Sequence, residues 1–201
     1  MYRQTDQEFL ALLNAVRDNR ADERTLQLLN ARYLPNFKAS GATYVRLVTH
    51  NHQADNINAQ EMAQLAATEK DFRATVEGTF PEGSYPAAEV LTLKRGAQVM
   101  FIKNDSSGEH RYYNGMLGEI TDISDNTVTV RPNDSAEEIE VGMETWQNSR
   151  FTLNEKTNEI EEVVDGTYKQ IPLRLAWAIT VHKSQGLTFE RAIIDVQSAF
   201  S

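Results

Sequence analysis

The sequence predicts an α/β domain interrupted by a small β-barrel. Up to residue 104 and again after residue 171, helical periodicity alternates with short β-branched runs, the pattern of a parallel sheet covered by helices. Between residues 105 and 171, short alternating runs follow one another with turn signals between them, the pattern of an antiparallel barrel. Charge divides at the same two places. The chain has 201 residues and a net charge of -9, yet residues 105–171 carry 15 Asp and Glu against 5 Lys and Arg, while the remainder carries 14 against 15. The acidity belongs to the insertion and serves as a solvated surface there, so the flanks remain free to present a local basic groove.

Taken in order, residues 5–20 predict an amphipathic helix. Thr5 and Glu8 have capping-box spacing, and Phe9, Leu12, Leu13 and Val16 recur on one face. A second helix spans about 22–33 and stops at Leu34-Pro35, because the residue before proline disfavours helical angles. Residues 43–48, TYVRLV, alternate as a strand. Asn51 is placed to cap a helix over about 52–66. Strands follow at 72–76, 90–93 and 97–102, with a Pro- and Gly-punctuated loop at 81–86.

In the insertion, strand runs fall at 118–123, 127–131, 138–141, 150–153, 160–164 and 167–171, and Asp165-Gly166 reads as a tight hairpin turn between the last two. The α/β pattern then resumes with a short strand near 171–173, a helix over about 175–184 and a strand after Phe189.

Several functions are set aside by composition. No apolar run is long enough to span a bilayer. The N-terminus lacks a secretion signal, and the absence of Cys excludes disulfides and thiolate metal sites, which together point to the cytoplasm. His182 has no second His or Cys at ligand spacing, which argues against a metal site, and no G-x-S-x-G elbow supports a hydrolase. His50-Asn51-His52 reads as a helix cap with solvated rings, and Trp146 and Trp177 read as core or barrel aromatics.

What remains is AWAITVHKSQGLTFERAIIDV, residues 176–196. Thr180, His182, Lys183, Ser184 and Gln185 put hydrogen-bonding groups at a helix-to-loop junction, and Gly186 admits close backbone approach. Such a set suits a phosphodiester backbone or a nucleotide phosphate. No Gly-Lys pair occurs in the chain, so G-x-x-x-x-G-K-[ST] cannot match and any nucleotide site here is partial.

This run resembles motif V of superfamily 1 helicases of the RecD-like and PIF-like type. YRQTDQEFLALLNAVRDN is similar to their motif IV and its following helix, VTHNHQADNINAQEM to their segment near single-stranded DNA, and LTLKRGAQVMFIKND with YYNGMLGEI to the entry of their inserted SH3-like barrel. The resemblance covers nearly the whole chain. It implies the second RecA-like motor domain, residues 1–104 and 172–201, with an SH3-like insertion at 105–171.

By the same resemblance, Arg3 is the motif IV arginine that faces the γ-phosphate, with Gln4 beside it. Gly186 and Glu190 lie on the nucleotide side. Thr49, Asn51, Asn104, Thr180, His182, Lys183, Ser184 and Gln185 lie toward the DNA. The P-loop, the Asp-Glu magnesium site, motif III and motif VI are missing, which implies a fragment of a 5′-to-3′ ATP-dependent DNA helicase. ATP and Mg would act in the intact parent, with none tightly bound here. Its partners would be single-stranded DNA and the first RecA-like domain of the same parent. Two alternatives stay open: a non-enzymatic module that binds single-stranded nucleic acid, and a protein-interaction role for the acidic stretch 134–144.

Overall fold

A computed structural model describes residues 7–35, 37, 44–154, 159–189 and 191–195. It forms two compact units, Met1–Ala42 and Thr43–Ser201.

The first unit holds α1 (Gln7–Arg17) and α2 (Glu23–Asn30). Asp22 caps α2: its carboxylate accepts from the Thr25 backbone N–H at 2.8 Å and from the Thr25 hydroxyl at 2.7 Å. The expected apolar face of α1 exists as a stripe, but none of its residues is fully buried.

In the second unit the order is β1 (Val45–Val48), α3 (Asn51–Gln64), β2 (Lys70–Arg73), β3 (Thr75–Gly78), β4 (Val90–Leu93), β5 (Gln98–Phe101), β6 (Leu117–Ile123), β7 (Val128–Pro132), β8 (Ile139–Val141), β9 (Glu144–Asn154), β10 (Glu159–Gln170), β11 (Leu173–Leu175), β12 (Ala178–Thr180), α4 (Val181–Ser184) and β13 (Ala192–Ile194). The α/β class holds. A parallel sheet in the order β12-β1-β13 carries α3 and α4 at its strand ends. The antiparallel part has a five-stranded sheet, β11-β5-β6-β7-β8, a three-stranded sheet, β3-β10-β9, and the pair β2-β4. The five-stranded sheet uses β5 and β11, which flank residues 105–171 on either side.

Four expectations are corrected. Asp165-Gly166 is not a hairpin turn. β10 runs straight through it, with a register shift between Val164 and Gly166 against β9. The extra residue is a bulge, and it lets the Asp165 carbonyl accept from Thr79 N at 2.8 Å. The expected strand at 72–76 is two strands that diverge at Ala74, whose N–H donates to the Glu89 carbonyl at 2.8 Å, so that β2 joins β4 and β3 joins β10. The expected helix at 175–184 shrinks to the single turn of α4, because residues 178–180 pair with β1 as a strand. The cap of α3 is His50, one residue before Asn51.

Buried polar groups tie the parts together. Gln98 on β5 donates through Nε2 to the Tyr44 carbonyl at 3.0 Å and the Ala176 carbonyl at 2.8 Å, which joins the antiparallel sheet to the start of β1 and the approach to β12. Gln170 is fully buried. Its Nε2 donates to the Phe72 and Ala88 carbonyls, each at 3.0 Å, and its Oε1 accepts from Ile171 N at 2.9 Å. Around them pack Phe72, Leu93, Val99, Phe101, Ile120, Val130 and Leu173, with Phe101 stacked on Tyr112 at 4.4 Å between centroids. Each such side chain contributes roughly 1.5–3 kcal/mol on burial.

Asp105 holds the loop that leaves β5. Its carboxylate accepts from Arg111 N at 3.0 Å, Arg111 Nε at 3.1 Å and Ser107 N at 3.0 Å. The Arg111 guanidinium, helped by these N–H groups, holds its pKa far below the usual carboxylate range despite burial. A group with a depressed folded pKa stabilises fully above the unfolded value of about 3.9 and loses that contribution as pH falls through the folded one. Asp105→Asn is therefore expected to cost about 2 kcal/mol at neutral pH. Urea midpoints of the two proteins should converge below about pH 4. A gap that stays constant down to pH 2 would contradict this.

Candidate nucleic-acid and nucleotide site

Parallel pairing brings the C-terminal ends of β1 and β12 side by side, with Val48 opposite Thr180. In open α/β sheets this is the edge where ligands bind, because loops leave the strands there together. The loop after β1 carries Thr49, His50 and Asn51. The one after β12 carries α4 and Gly186.

Each loop is fixed locally. The Thr49 hydroxyl lies 2.9 Å from His50 Nδ1 and 3.3 Å from Gln53 Oε1, and that same Oε1 accepts from His50 N at 3.3 Å. The His50 and His52 rings stand 5.4 Å apart. Asn51 opens α3 with its side chain exposed. Thr180 is buried and caps α4, its hydroxyl accepting from Lys183 N at 3.4 Å. The Ser184 hydroxyl donates to the Val181 carbonyl at 2.7 Å. His182, Lys183 and Gln185 are exposed. Gly186 adopts φ +86, a left-handed angle that a side chain would strain. It turns Leu187 toward Gly115, where an added Cβ would come within 2.8 Å of the Leu187 side chain.

Thr49, Asn51, Thr180, His182, Lys183, Ser184, Gln185 and Gly186 thus share one edge of the sheet. Asn104 does not. It follows β5, and its Oδ1 accepts from Asn114 N at 2.8 Å, so it shapes the turn that receives Leu187. Arg3, Gln4 and Glu190 lie outside the described residues. Of the residues expected to touch nucleotide, only Gly186 is described. Among the described residues no group of three or more His, Cys, Asp or Glu is placed to hold a metal ion, and no helix is long and apolar enough to cross a membrane.

Two residues at this edge escaped sequence reasoning. Asn58 on α3 donates through Nδ2 to the Ala178 carbonyl and accepts at Oδ1 from Ala178 N, both at 2.9 Å. It takes the place of a neighbouring strand along the open edge of β12. A signal existed: Asn58 falls one turn after Ala54 and one before Met62, both buried, so a polar residue stands on the buried stripe of the helix. Arg174 on β11 lines a cleft with Lys183 and Asp55. Burial around the Lys183 ammonium lowers its pKa, Arg174 lowers it further, and Asp55 partly offsets them. No spacing rule marks Arg174 in the sequence.

Chemically, this edge offers hydroxyls, amides, imidazoles and two cations, with the Thr49 hydroxyl paired to the His50 ring. Residues of these types suit contact with phosphates.

No protein-family model matches the chain. It is 33% identical over 194 residues to the ATP-dependent DNA helicase Pif1 of Bdellovibrio bacteriovorus, covering 94% of this chain and 41% of that protein. It is 27% identical to the ATP-dependent DNA helicase PIF1 of Homo sapiens, covering 100% of this chain and 31% of the human protein. Among solved structures it resembles the Bacteroides sp Pif1 complex with ADP-AlF4, with 38% identity, a TM-score of 0.88, and coverage of 100% of this chain and 45% of that one. Bacteroides Pif1 bound to ssDNA matches at 39% identity with a TM-score of 0.70, over 99% of this chain and 45% of that one. The chain therefore spans less than half the length of these relatives.

Proposed function

From the homology of the whole chain to Pif1 helicases, we propose that it supplies the second motor half of an ATP-dependent DNA helicase that works in the cytoplasm. In this reading residues 1–104 and 172–201 form the RecA-like domain, and residues 105–171 form its SH3-like insertion. Single-stranded DNA lies across the ends of β1 and β12, held by Thr49, Asn51, Thr180, His182, Lys183, Ser184 and Gln185, with Asn104 shaping the turn beside them. Arg3, Gln4, Gly186 and Glu190 face nucleotide on the side toward a first RecA-like domain.

One observation supports this above the rest. Two loops far apart in sequence, one after Val48 and one after Thr180, meet in register on one sheet edge, with Asn51, His182, Lys183 and Gln185 exposed there. The solved relatives bound to ssDNA and to ADP-AlF4 share this chain's fold over nearly all of its length.

The first domain would contribute the P-loop and the acidic residues for Mg, since the chain has no G-x-x-x-x-G-K-[ST]. ATP bound between the halves would supply a phosphoryl group whose charge Arg3 stabilises. Closure of the halves would move the strand by way of α4, in the 5′-to-3′ direction. The chain alone would then bind DNA without hydrolysing ATP.

The test uses a fluorescent single-stranded oligonucleotide and anisotropy. Binding should weaken steeply as salt rises. His182→Ala combined with Thr49→Ala should weaken it about tenfold or more. ATP turnover by the pure chain should be absent, and measurable turnover sinks the motor-half reading. Strong binding without stimulation of a first domain supplied in trans would favour a non-enzymatic DNA-binding module.

A further inference from the structure

The loop after β12 has little of its own to hold it at the sheet edge. Every hydrogen bond described for residues 182–187 stays within residues 180–187: Lys183 N donates to the Thr180 hydroxyl at 3.4 Å, the Ser184 hydroxyl to the Val181 carbonyl at 2.7 Å, Gln185 N to the His182 carbonyl at 3.3 Å and Leu187 N to the Ser184 carbonyl at 3.0 Å. These bonds fix the shape of the turn and not its place. Place comes from apolar contact. Leu187 and Phe189 are half-buried and pack on a cluster of Val45, Met100, Ala176 and Ile179. Met100 pairs with Leu117 across β5 and β6, and Leu117 packs on the same cluster. The loop therefore leans on the antiparallel sheet and not only on the strand it leaves.

At this contact lies Gly115, in the turn between β5 and β6. Its N–H donates to the Phe101 carbonyl at 2.8 Å, and Asn104 Oδ1 accepts from Asn114 N at 2.8 Å, so the turn is fixed to the end of β5. Gly115 has φ +99. A Cβ there would lie 2.8 Å from Leu187 Cδ2 and 3.5 Å from both its Cβ and its Cγ, and beyond the chain neighbours of Gly115 these are the nearest atoms. The Leu187 side chain thus rests on the glycine, in a seat that any side chain at 115 would fill. Gly108, in the same connection between β5 and β6, also has a left-handed φ, +87, but nothing lies within 4 Å of its added Cβ. Conformational freedom accounts for both glycines. Only at Gly115 does the missing side chain also make room for a neighbour.

We propose that Gly115 and Leu187 are positioning residues: the seat on the β5–β6 turn sets where His182, Lys183 and Gln185 stand at the sheet edge. This rests on the reading of that edge as the DNA site. Neither residue has a polar side chain to offer a phosphate, so both act through the loop. Binding groups on a loop keep their geometry only as well as the packing behind them holds it. Coupling of this kind is reciprocal, so DNA gripped by the loop also acts, through Leu187, on the turn between β5 and β6.

The experiment compares Gly115→Ala, Leu187→Ala, the double variant and Gly108→Ala. Affinity for a thymidine oligonucleotide is read by anisotropy, and ¹⁵N amide shifts are read without DNA. Gly115→Ala is expected to weaken binding about fivefold or more and to move the amides of Lys183, Gln185 and Gly186. Gly108→Ala imposes the same kind of backbone strain. It should lower the melting temperature and leave affinity and those amides unchanged. Leu187→Ala unseats the loop and should weaken binding by a similar factor. The double variant should bind no more weakly than Leu187→Ala, because the added methyl has no side chain left to displace. Backbone strain alone would instead add its full cost in both backgrounds.

Additive losses overturn the proposal, as does a loss in Gly108→Ala equal to that in Gly115→Ala. Unchanged affinity in Gly115→Ala and Leu187→Ala overturns it too and leaves the motor reading intact. Leu187 is only half-buried, so its variant should fold and decides the matter if Gly115→Ala does not. If wild type binds no oligonucleotide, the motor reading falls and the amide shifts alone decide the seat. Movement at residues 183–186 in Gly115→Ala and Leu187→Ala but not in Gly108→Ala supports it, and no movement overturns it.

Discussion

Asn58→Ala is expected to destabilise the second unit by about 2–4 kcal/mol and to abolish binding of single-stranded DNA. Ala178 is 1% exposed, and both its backbone groups are matched by the one Asn58 side chain. Alanine leaves a buried N–H and a buried C=O without partners, each worth about 1–3 kcal/mol. The loss falls on the strand that delivers Thr180, His182 and Lys183, so geometry at the sheet edge should fail before global unfolding. Asn58→Asp keeps the acceptor but sets a carboxylate against the Ala178 carbonyl, and should lie at least as low. Urea unfolding measures the first effect and anisotropy with an oligonucleotide the second. A variant within about 0.5 kcal/mol of wild type would show that β12 does not need this bridge.

The other large effect is expected at Gly166. It faces Gly78 across β3 and Asn148 across β9. A Cβ placed there would lie 2.5 Å from the Thr79 carbonyl oxygen and 2.7 Å from its nitrogen, contacts with backbone that cannot swing aside. Gly166→Ala must therefore part β3 from β10 and break the bond from Thr79 N to the Asp165 carbonyl. The displaced strand also carries Tyr168, fully buried, whose hydroxyl donates to the Ala87 carbonyl at 3.0 Å and whose ring packs 4.6 Å from Tyr85. A loss of about 3 kcal/mol or more is expected, with a changed near-ultraviolet circular dichroism from the Tyr85, Tyr168 and Trp146 group. Gly142→Ala is the control, because nothing lies within 4 Å of its added Cβ. Equal melting temperatures for the two variants would refute the argument.

The sequence made the short, strongly patterned elements legible. β1, β4, β6 and β7 follow directly from alternation and turn residues, and α3 matches the helix read at about 52–66. What it hid was tertiary. Asp165-Gly166 is a turn signal by local chemistry, yet the pairing of Gly166 with both neighbouring strands keeps β10 continuous. Residues 175–184 have helical composition, yet Asn58 and β1 supply strand partners for Ala178–Thr180. The polar cluster at 180–186 was visible because its residues are contiguous. Its companionship with Thr49 and Asn51 needed the register of two distant strands, and Arg174 needed a cleft that no periodicity describes.

The parallel sheet has one more consequence, for the order in which the molecule is made. β1 finds no neighbour until β12 and β13 arrive near the far end of the described chain. The antiparallel sheets are built mostly from strands that follow one another closely, so they close small loops and can assemble early. During synthesis Val45–Val48 therefore waits as an apolar segment with both edges open, a state in which it can pair wrongly with another chain. The edge that gathers the loops after β1 and β12 is thus completed later than the antiparallel sheets, and nascent chains are most vulnerable until β12 arrives.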